Sequence, residues 1–135
     1  MPRLWPFAAI VVLLAGCTAS RIESAHFGTP ADIERAIKLY YERNASEGGR
    51  CFNPYIDGFS RVTVVEDTPD RLVVDARYFW RDRFQDGDGG NNCAGFGERT
   101  FTLARDQNGR PVVVGMTGER YEPAIRSLIR RMLPG

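Results

Sequence analysis

The chain has 135 residues, the length of one ordinary domain. Its 18 basic and 17 acidic side chains leave a net charge of +1. A chain so close to neutral has no net positive potential to attract nucleic acid. This excludes a protein that binds nucleic acid mainly through its charge.

The first 16 residues have the three zones of a secretory signal peptide. Arg3 supplies the positive charge, an apolar run extends from Phe7 to Leu14, and two small residues follow. The apolar run is shorter than the roughly 20 residues that a permanent transmembrane helix needs. Residues 1–16 are therefore predicted to be a signal that is removed.

The sequence Leu14-Ala15-Gly16-Cys17 ends this segment and resembles the lipobox of bacterial lipoproteins. The resemblance covers the first 17 residues and implies cleavage before Cys17, which then carries lipid on its sulfur and on its amino terminus. Several acyl chains make such an anchor effectively permanent. In lipoproteins of enteric bacteria an aspartate after the cysteine retains the protein in the inner membrane. Thr18 stands here, so the resemblance implies the periplasmic face of the outer membrane, with the inner membrane as the less favoured site. An ordinary cleaved signal beside an unrelated cysteine is the alternative.

Cys51 and Cys93 are the only cysteines besides Cys17. An exported chain meets an oxidising compartment, so we predict that these two cysteines form a structural disulfide. A redox or nucleophilic thiol is the alternative, but the chain has no Cys-x-x-Cys motif. Its one histidine, His26, falls in the segment of residues 17–28, which is predicted to be the lipidated end and a flexible tether.

A helix is predicted from Thr29, with Thr29 as the N-cap and Pro30 in the first turn. One apolar face follows at helical spacing: Ile33, Ala36, Ile37 and Tyr40. The glycines at 48 and 49 are expected to end the helix, and residues 51–58 are expected to be irregular.

Four strand-like segments follow: Arg61–Glu66, Arg71–Arg81, Gly95–Arg105 and Pro111–Thr117. In the second of them every even position from Leu72 to Trp80 is apolar, and most odd positions are polar. We therefore predict that Trp80 lies in the core and that Phe79 is comparatively exposed. Phe101 and Leu103 of the third segment are predicted to point inward.

An amphipathic helix is predicted from Glu122 to the C-terminus. The predicted fold class is α+β over residues 29–135: an N-terminal helix packed on a four-stranded antiparallel meander sheet, with a C-terminal amphipathic helix. This order of elements resembles cystatin-like and nuclear-transport-factor-like domains, in which a curved sheet cradles a helix. No motif accompanies that resemblance, so it implies a fold and no function.

The loop of residues 86–92 has oxygen donors at spacings similar to those of calcium loops. Counted from Asp86, however, the loop departs from the EF-hand pattern at three positions. An EF-hand needs an oxygen donor where this chain has Gly90, a glycine where it has Asn91, and an acid where it has Gly97. A solvated loop beside Cys93 is the alternative reading.

The run Tyr78-Phe79-Trp80 lies among arginines 77, 81 and 83, which is typical of a stacking platform for sugars or bases. Strand alternation offers core packing as the alternative account. The charged residues on these strands, Asp75, Arg77, Arg81, Glu98 and Arg99, are expected to form surface ion pairs.

The sequence contains no catalytic motif, and we expect no enzyme activity, metal or cofactor. We predict an interaction or scaffold lipoprotein that is held to the membrane by its N-terminal lipid and binds another protein of the cell envelope. The alternative is a ligand-binding module whose cavity between helix and sheet is lined by Tyr40, Tyr78 and Trp80.

Overall fold

The computed structural model describes residues 21–48, 51–84 and 93–119. These residues form a helix, α1 (Pro30–Asn44), and four strands, β1 (Pro54–Asp67), β2 (Leu72–Asp82), β3 (Ala94–Arg105) and β4 (Pro111–Met116). This arrangement confirms the predicted α+β class. The predicted C-terminal helix, Cys17 and the loop of residues 86–92 lie outside the described residues.

The start of α1 is the predicted one. The Thr29 side chain accepts a hydrogen bond from the Asp32 amide at 3.2 Å, and Pro30 lies in the first turn. The helix ends at Asn44, before the glycines that were expected to end it. The chain is already extended at Ala45, so Gly48 lies beyond the end of the helix.

The buried face of α1 differs from the predicted one at its C-terminal end. Ile33 and Ile37 are fully buried as predicted, and Tyr41 is fully buried as well. Tyr40 and Ala36 are only half-buried. Residues four apart lie on one side of a helix for about two turns, so the face that begins at Ile33 continues to Tyr41 and leaves Tyr40 at its border.

The strands form one antiparallel sheet in the order β1-β2-β3-β4, which is the predicted meander. The expectation of an irregular stretch over residues 51–58 is wrong, because β1 begins at Pro54. The register against β2 shifts between Ile56 and Gly58. The turn-forming residues at 57 and 58 are therefore accommodated as a bulge within the strand.

The alternation predicted for β2 is confirmed. Its even positions are buried: Leu72, Val74, Ala76 and Tyr78 are 0% exposed and Trp80 is 8% exposed. Phe79 is half-buried on the opposite face. Phe101 and Leu103 of β3 are buried as predicted, and the buried residues of α1 belong to the same core cluster.

The chain from Arg21 to Gly28, which the sequence assigned to a flexible tether, packs against the domain. Ile22 is 2% exposed and Phe27 is 0% exposed, so both belong to the core. The Ser24 hydroxyl and the Ala25 amide each donate a hydrogen bond of 2.8 Å to the carboxylate of Asp67, the last residue of β1. The bond from Ala25, helped by that from Ser24, lowers the pKa of Asp67. The segment is thus held to the domain by two buried apolar side chains and by hydrogen bonds to Asp67, although its sequence has neither helical nor strand periodicity.

Cys51 and Cys93 form a disulfide, the pairing that the sequence predicted. The bond ties the chain before β1 to the chain before β3. Close to it, buried Asp82 accepts hydrogen bonds from the amides of Asn53 at 2.8 Å and Phe84 at 2.9 Å. These contacts fix this end of the sheet.

Candidate functional site

A buried polar cluster lies where the end of α1 meets the sheet. It consists of Tyr41, Glu47, Tyr78 and Arg99. Oε1 of Glu47 accepts hydrogen bonds from the Tyr41 hydroxyl at 2.5 Å, the Tyr78 hydroxyl at 3.1 Å and Nη2 of Arg99 at 3.1 Å. The side chains of Arg99 and Glu47 are 10% and 14% exposed, so this is a largely buried ion pair.

All three guanidinium nitrogens of Arg99 donate hydrogen bonds in this cluster. Its Nε donates to the Tyr78 hydroxyl at 2.7 Å, and its Nη1 donates to the carbonyls of Thr117 at 2.6 Å and Gly118 at 2.5 Å. Nη2 also donates to the Ser46 carbonyl at 3.2 Å. One guanidinium thus joins the chain after α1, strand β2 and the chain after β4.

Burial, together with the carboxylate of Glu47, raises the pKa of Tyr78 to about 12 and raises that of Tyr41 further above its ordinary value. Burial lowers the pKa of Arg99, but Tyr78 and Glu47 outweigh this effect and leave it raised. Both hydroxyls therefore stay protonated at neutral pH and act as donors. The cluster is suited to holding elements together and not to moving protons.

The three residues predicted to line a cavity do not act as a group. Tyr78 is fully buried and packs edge-on against Tyr41, with ring centroids 5.1 Å apart. Trp80 lies over Gly95 of β3, where a Cβ would be 3.4 Å from the indole nitrogen. The Tyr40 hydroxyl donates to Glu119 at 2.6 Å. A shallow depression of about 360 Å³ is lined by Tyr78 but not by Tyr40 or Trp80.

The outer face of the sheet carries what we call the aromatic–arginine patch: Arg77, Phe79, Arg81 and Phe96. The rings of Phe79 and Phe96 are 5.3 Å apart, and Phe96 is 64% exposed. The Arg77 guanidinium lies 5.6 Å from the Phe96 ring and that of Arg81 lies 5.5 Å from the Phe79 ring. The aromatic surface thus contains Phe79 from the predicted run, but its most exposed ring comes from β3.

The charged residues of the strands divide between the two faces. Arg81 pairs with Asp57 at 3.4 Å, and Arg61 pairs with Glu98 at 3.3 Å, both on the surface as expected for such residues. The expectation is wrong for Arg99, which is on the inner face. Alternation from Phe101 back to Arg99 was the signal for this, since residues two apart on a strand share a face.

No group of three or more metal-ligating side chains occurs within residues 21–48, 51–84 and 93–119. In the same stretches of chain no helix is both long and apolar enough to cross a membrane. Comparison with known proteins adds no relative to these observations: no family model matches this chain, and no curated protein or solved structure matches it either.

Proposed function

We propose that this protein is a lipid-anchored component of the bacterial envelope, facing the periplasm from the outer membrane, and that it acts by binding a partner protein without catalysis. The anchor rests on Leu14-Ala15-Gly16-Cys17. The disulfide between Cys51 and Cys93 supports the same compartment, because such bonds persist in oxidising surroundings.

The packing beneath α1 favours a binding surface over an internal ligand cavity. Ile33, Ile37, Tyr41, Tyr78 and Phe101 are all 0% exposed. Within the described residues, every buried side-chain nitrogen and oxygen has a hydrogen-bond partner. A ligand cavity needs convergent polar groups that await a partner, and here those groups satisfy one another.

The observation that carries the proposal is the aromatic–arginine patch. Phe96 is 64% exposed, so most of its ring lies outside the core and is available to a partner. Aromatic and arginine side chains are enriched at the centres of protein interfaces, where they supply most of the binding energy. The amphipathic helix expected from Glu122 either closes the core or adds to this partner-binding role.

The anchor and the patch are tested separately. In cells, Cys17→Ser is expected to abolish lipid-dependent processing and partition into detergent; processing and partition that survive the change would refute the anchor. A photo-crosslinking residue at Phe96 is expected to capture one discrete partner, whereas the same residue at Val65, which is 59% exposed on β1, is not.

A second variant shows whether the captured protein binds the aromatic–arginine patch itself. Arg77→Ala is expected to weaken the Phe96 crosslink, since its guanidinium lies against that ring. The matched control is Arg43→Ala, an exposed arginine in the last turn of α1. Equal crosslinking at Phe96 and Val65, or equal effects of the two arginine changes, would refute the patch as the binding surface.

A further inference from the structure

A groove lies between α1 and the turn that joins β3 to β4. Its volume is about 550 Å³, within the usual range for small-ligand sites. Its walls carry two arginines, Arg35 from the helix and Arg110 from the turn, and its apolar surface includes Ala36, Leu39 and Pro111. Leu39 is 48% exposed, so the groove is open to the surface.

The charges in this groove are unbalanced. The Asp32 carboxylate accepts a hydrogen bond of 2.7 Å from the Thr29 hydroxyl at the start of the helix. The guanidiniums of Arg35 and Arg110 make no ion pair or hydrogen bond with any of the described residues. Two guanidiniums without a partner among the described residues, on facing walls, are suited to an anionic oxygen group, and phosphate is one of the groups that their planar donors fit.

The position of the groove indicates where such a group would come from. Asp67 ends β1 and Arg105 ends β3, and these two strands run in the same direction, so both residues lie at one end of the sheet. Ser24 bonds to Asp67, and Arg105 lies 5.8 Å from the Phe27 ring. The N-terminal segment therefore crosses the same end of the domain that carries the groove.

The short chain between the lipid anchor and the core limits the distance between this end of the domain and the membrane. Ile22 is 2% exposed and is fixed to the core. Five residue spacings separate it from Cys17, which an extended chain covers in at most about 18 Å. The end of the domain with the groove is thus held near the lipid headgroups.

We propose that the groove binds the phosphate of an anionic phospholipid headgroup through Arg35 and Arg110, and so sets the orientation of the domain on the membrane. This inference rests on the proposed lipid anchor. The β1–β2 and β3–β4 turns then face the bilayer, and the disulfide end of the sheet faces away from it.

The test uses the natively lipidated protein in nanodiscs that contain phosphatidylcholine and increasing fractions of phosphatidylglycerol. Amide hydrogen exchange is measured over residues 29–39 and 106–111. Exchange is expected to slow as the anionic lipid is added. Each arginine near an anionic surface contributes a factor of about five in affinity. Arg35→Gln or Arg110→Gln should therefore raise the half-maximal fraction of phosphatidylglycerol about fivefold, and the double variant should show no protection.

Arg43→Gln, on the same helix but outside the groove, is the matched control and is expected to behave as the unaltered protein does. Three outcomes would overturn the proposal: no protection by anionic lipid, an effect of Arg43→Gln equal to that of Arg35→Gln, or equal protection by inorganic phosphate in discs of pure phosphatidylcholine. Attachment to the discs is scored separately. Attachment that survives Cys17→Ser contradicts the anchor, whereas intact attachment without protection contradicts the groove alone.

Discussion

Gly97 is the position at which the smallest substitution should do the most damage to the buried polar cluster. It lies opposite Tyr78 in the register of β2 and β3. A Cβ at this position would be 2.6 Å from both Cζ and the hydroxyl oxygen of Tyr78, far inside contact distance. Tyr78 is fully buried, and its hydroxyl bonds to Arg99 and Glu47, so the ring has nowhere to move without losing partners.

The expected cost of Gly97→Ala has two parts. Overpacking a well-filled core typically costs about 1–3 kcal/mol. Displacing the Tyr78 hydroxyl weakens hydrogen bonds to charged groups, which contribute about 1.5–3 kcal/mol each. With one such bond lost, we therefore expect a loss of about 2.5–6 kcal/mol from a stability that for a small domain is about 5–15 kcal/mol.

Gly95→Ala is the matched control, since Gly95 lies on the same face of the same strand. Its Cβ would be 3.4 Å from the indole nitrogen of Trp80, an ordinary contact. Because alanine restricts the unfolded chain, this change is expected to be neutral or to stabilise the protein by about 0.4–1 kcal/mol. Urea unfolding followed by circular dichroism measures both variants with the disulfide intact.

A double-mutant cycle identifies the cause of the loss. If the clash with the tyrosine ring is responsible, Gly97→Ala should cost little once Tyr78 has been changed to alanine. Similar stabilities for the two glycine variants, or an undiminished cost of Gly97→Ala in the Tyr78→Ala background, would refute the close approach of Gly97 to the Tyr78 ring.

Three further predictions concern the core, the disulfide and the tyrosines. Trp80→Ala should cost about 3–5 kcal/mol in urea unfolding, whereas Phe79→Ala on the outer face should leave the protein folded; the reverse order would place the strand in the opposite phase. Removal of the disulfide as Cys51→Ala with Cys93→Ala should cost about 4 kcal/mol by the chain-entropy model for a separation of 42 residues, and an unchanged melting temperature would contradict its structural role. Tyrosines in the unfolded chain ionise near pH 10 and Tyr78 in the fold ionises at about 12, so stability should be complete below about pH 10 and fall as the pH rises towards 12. Tyr78→Phe should flatten that fall in urea titrations between pH 8 and 12, and an equally steep fall in the variant would refute the assignment.

Local patterns in the sequence predicted the helix and the strands well, because the formation of each is favoured by residues that are close together along the chain. The N-cap at Thr29 and the alternation from Leu72 to Trp80 both follow from residues within one turn or one strand. The errors arose where a distant contact decided the outcome. Gly58 is a turn residue by composition, but it pairs with Phe79 of β2 and so stays within β1, next to a bulge. The segment around Ile22 and Phe27 has no periodicity, and only the domain beneath it provides a place for both side chains.

The polar cluster could have been reached from the sequence only in part. Alternation on β3 places Arg99 on the same face as Phe101, and a charged residue on a core face requires a partner. The sequence does not say which acid that partner is, because Glu47 lies after the helix, 52 residues away. The same alternation places Gly95 and Gly97 on the inner face, opposite Trp80 and Tyr78.

These two pairs explain how β2 and β3 fit together. Each large ring on the inner face of β2 lies over a glycine of β3, so the side-chain volume missing from one strand is supplied by the other. Tyr78 can therefore lie low enough to bring its hydroxyl within 2.7 Å of Nε of Arg99. A side chain at position 97 would lift the ring, and the arginine would lose the contact that joins it to β2. The two glycines and the buried ion pair thus depend on one another, because the close packing that the glycines allow is what brings Tyr78 to Arg99.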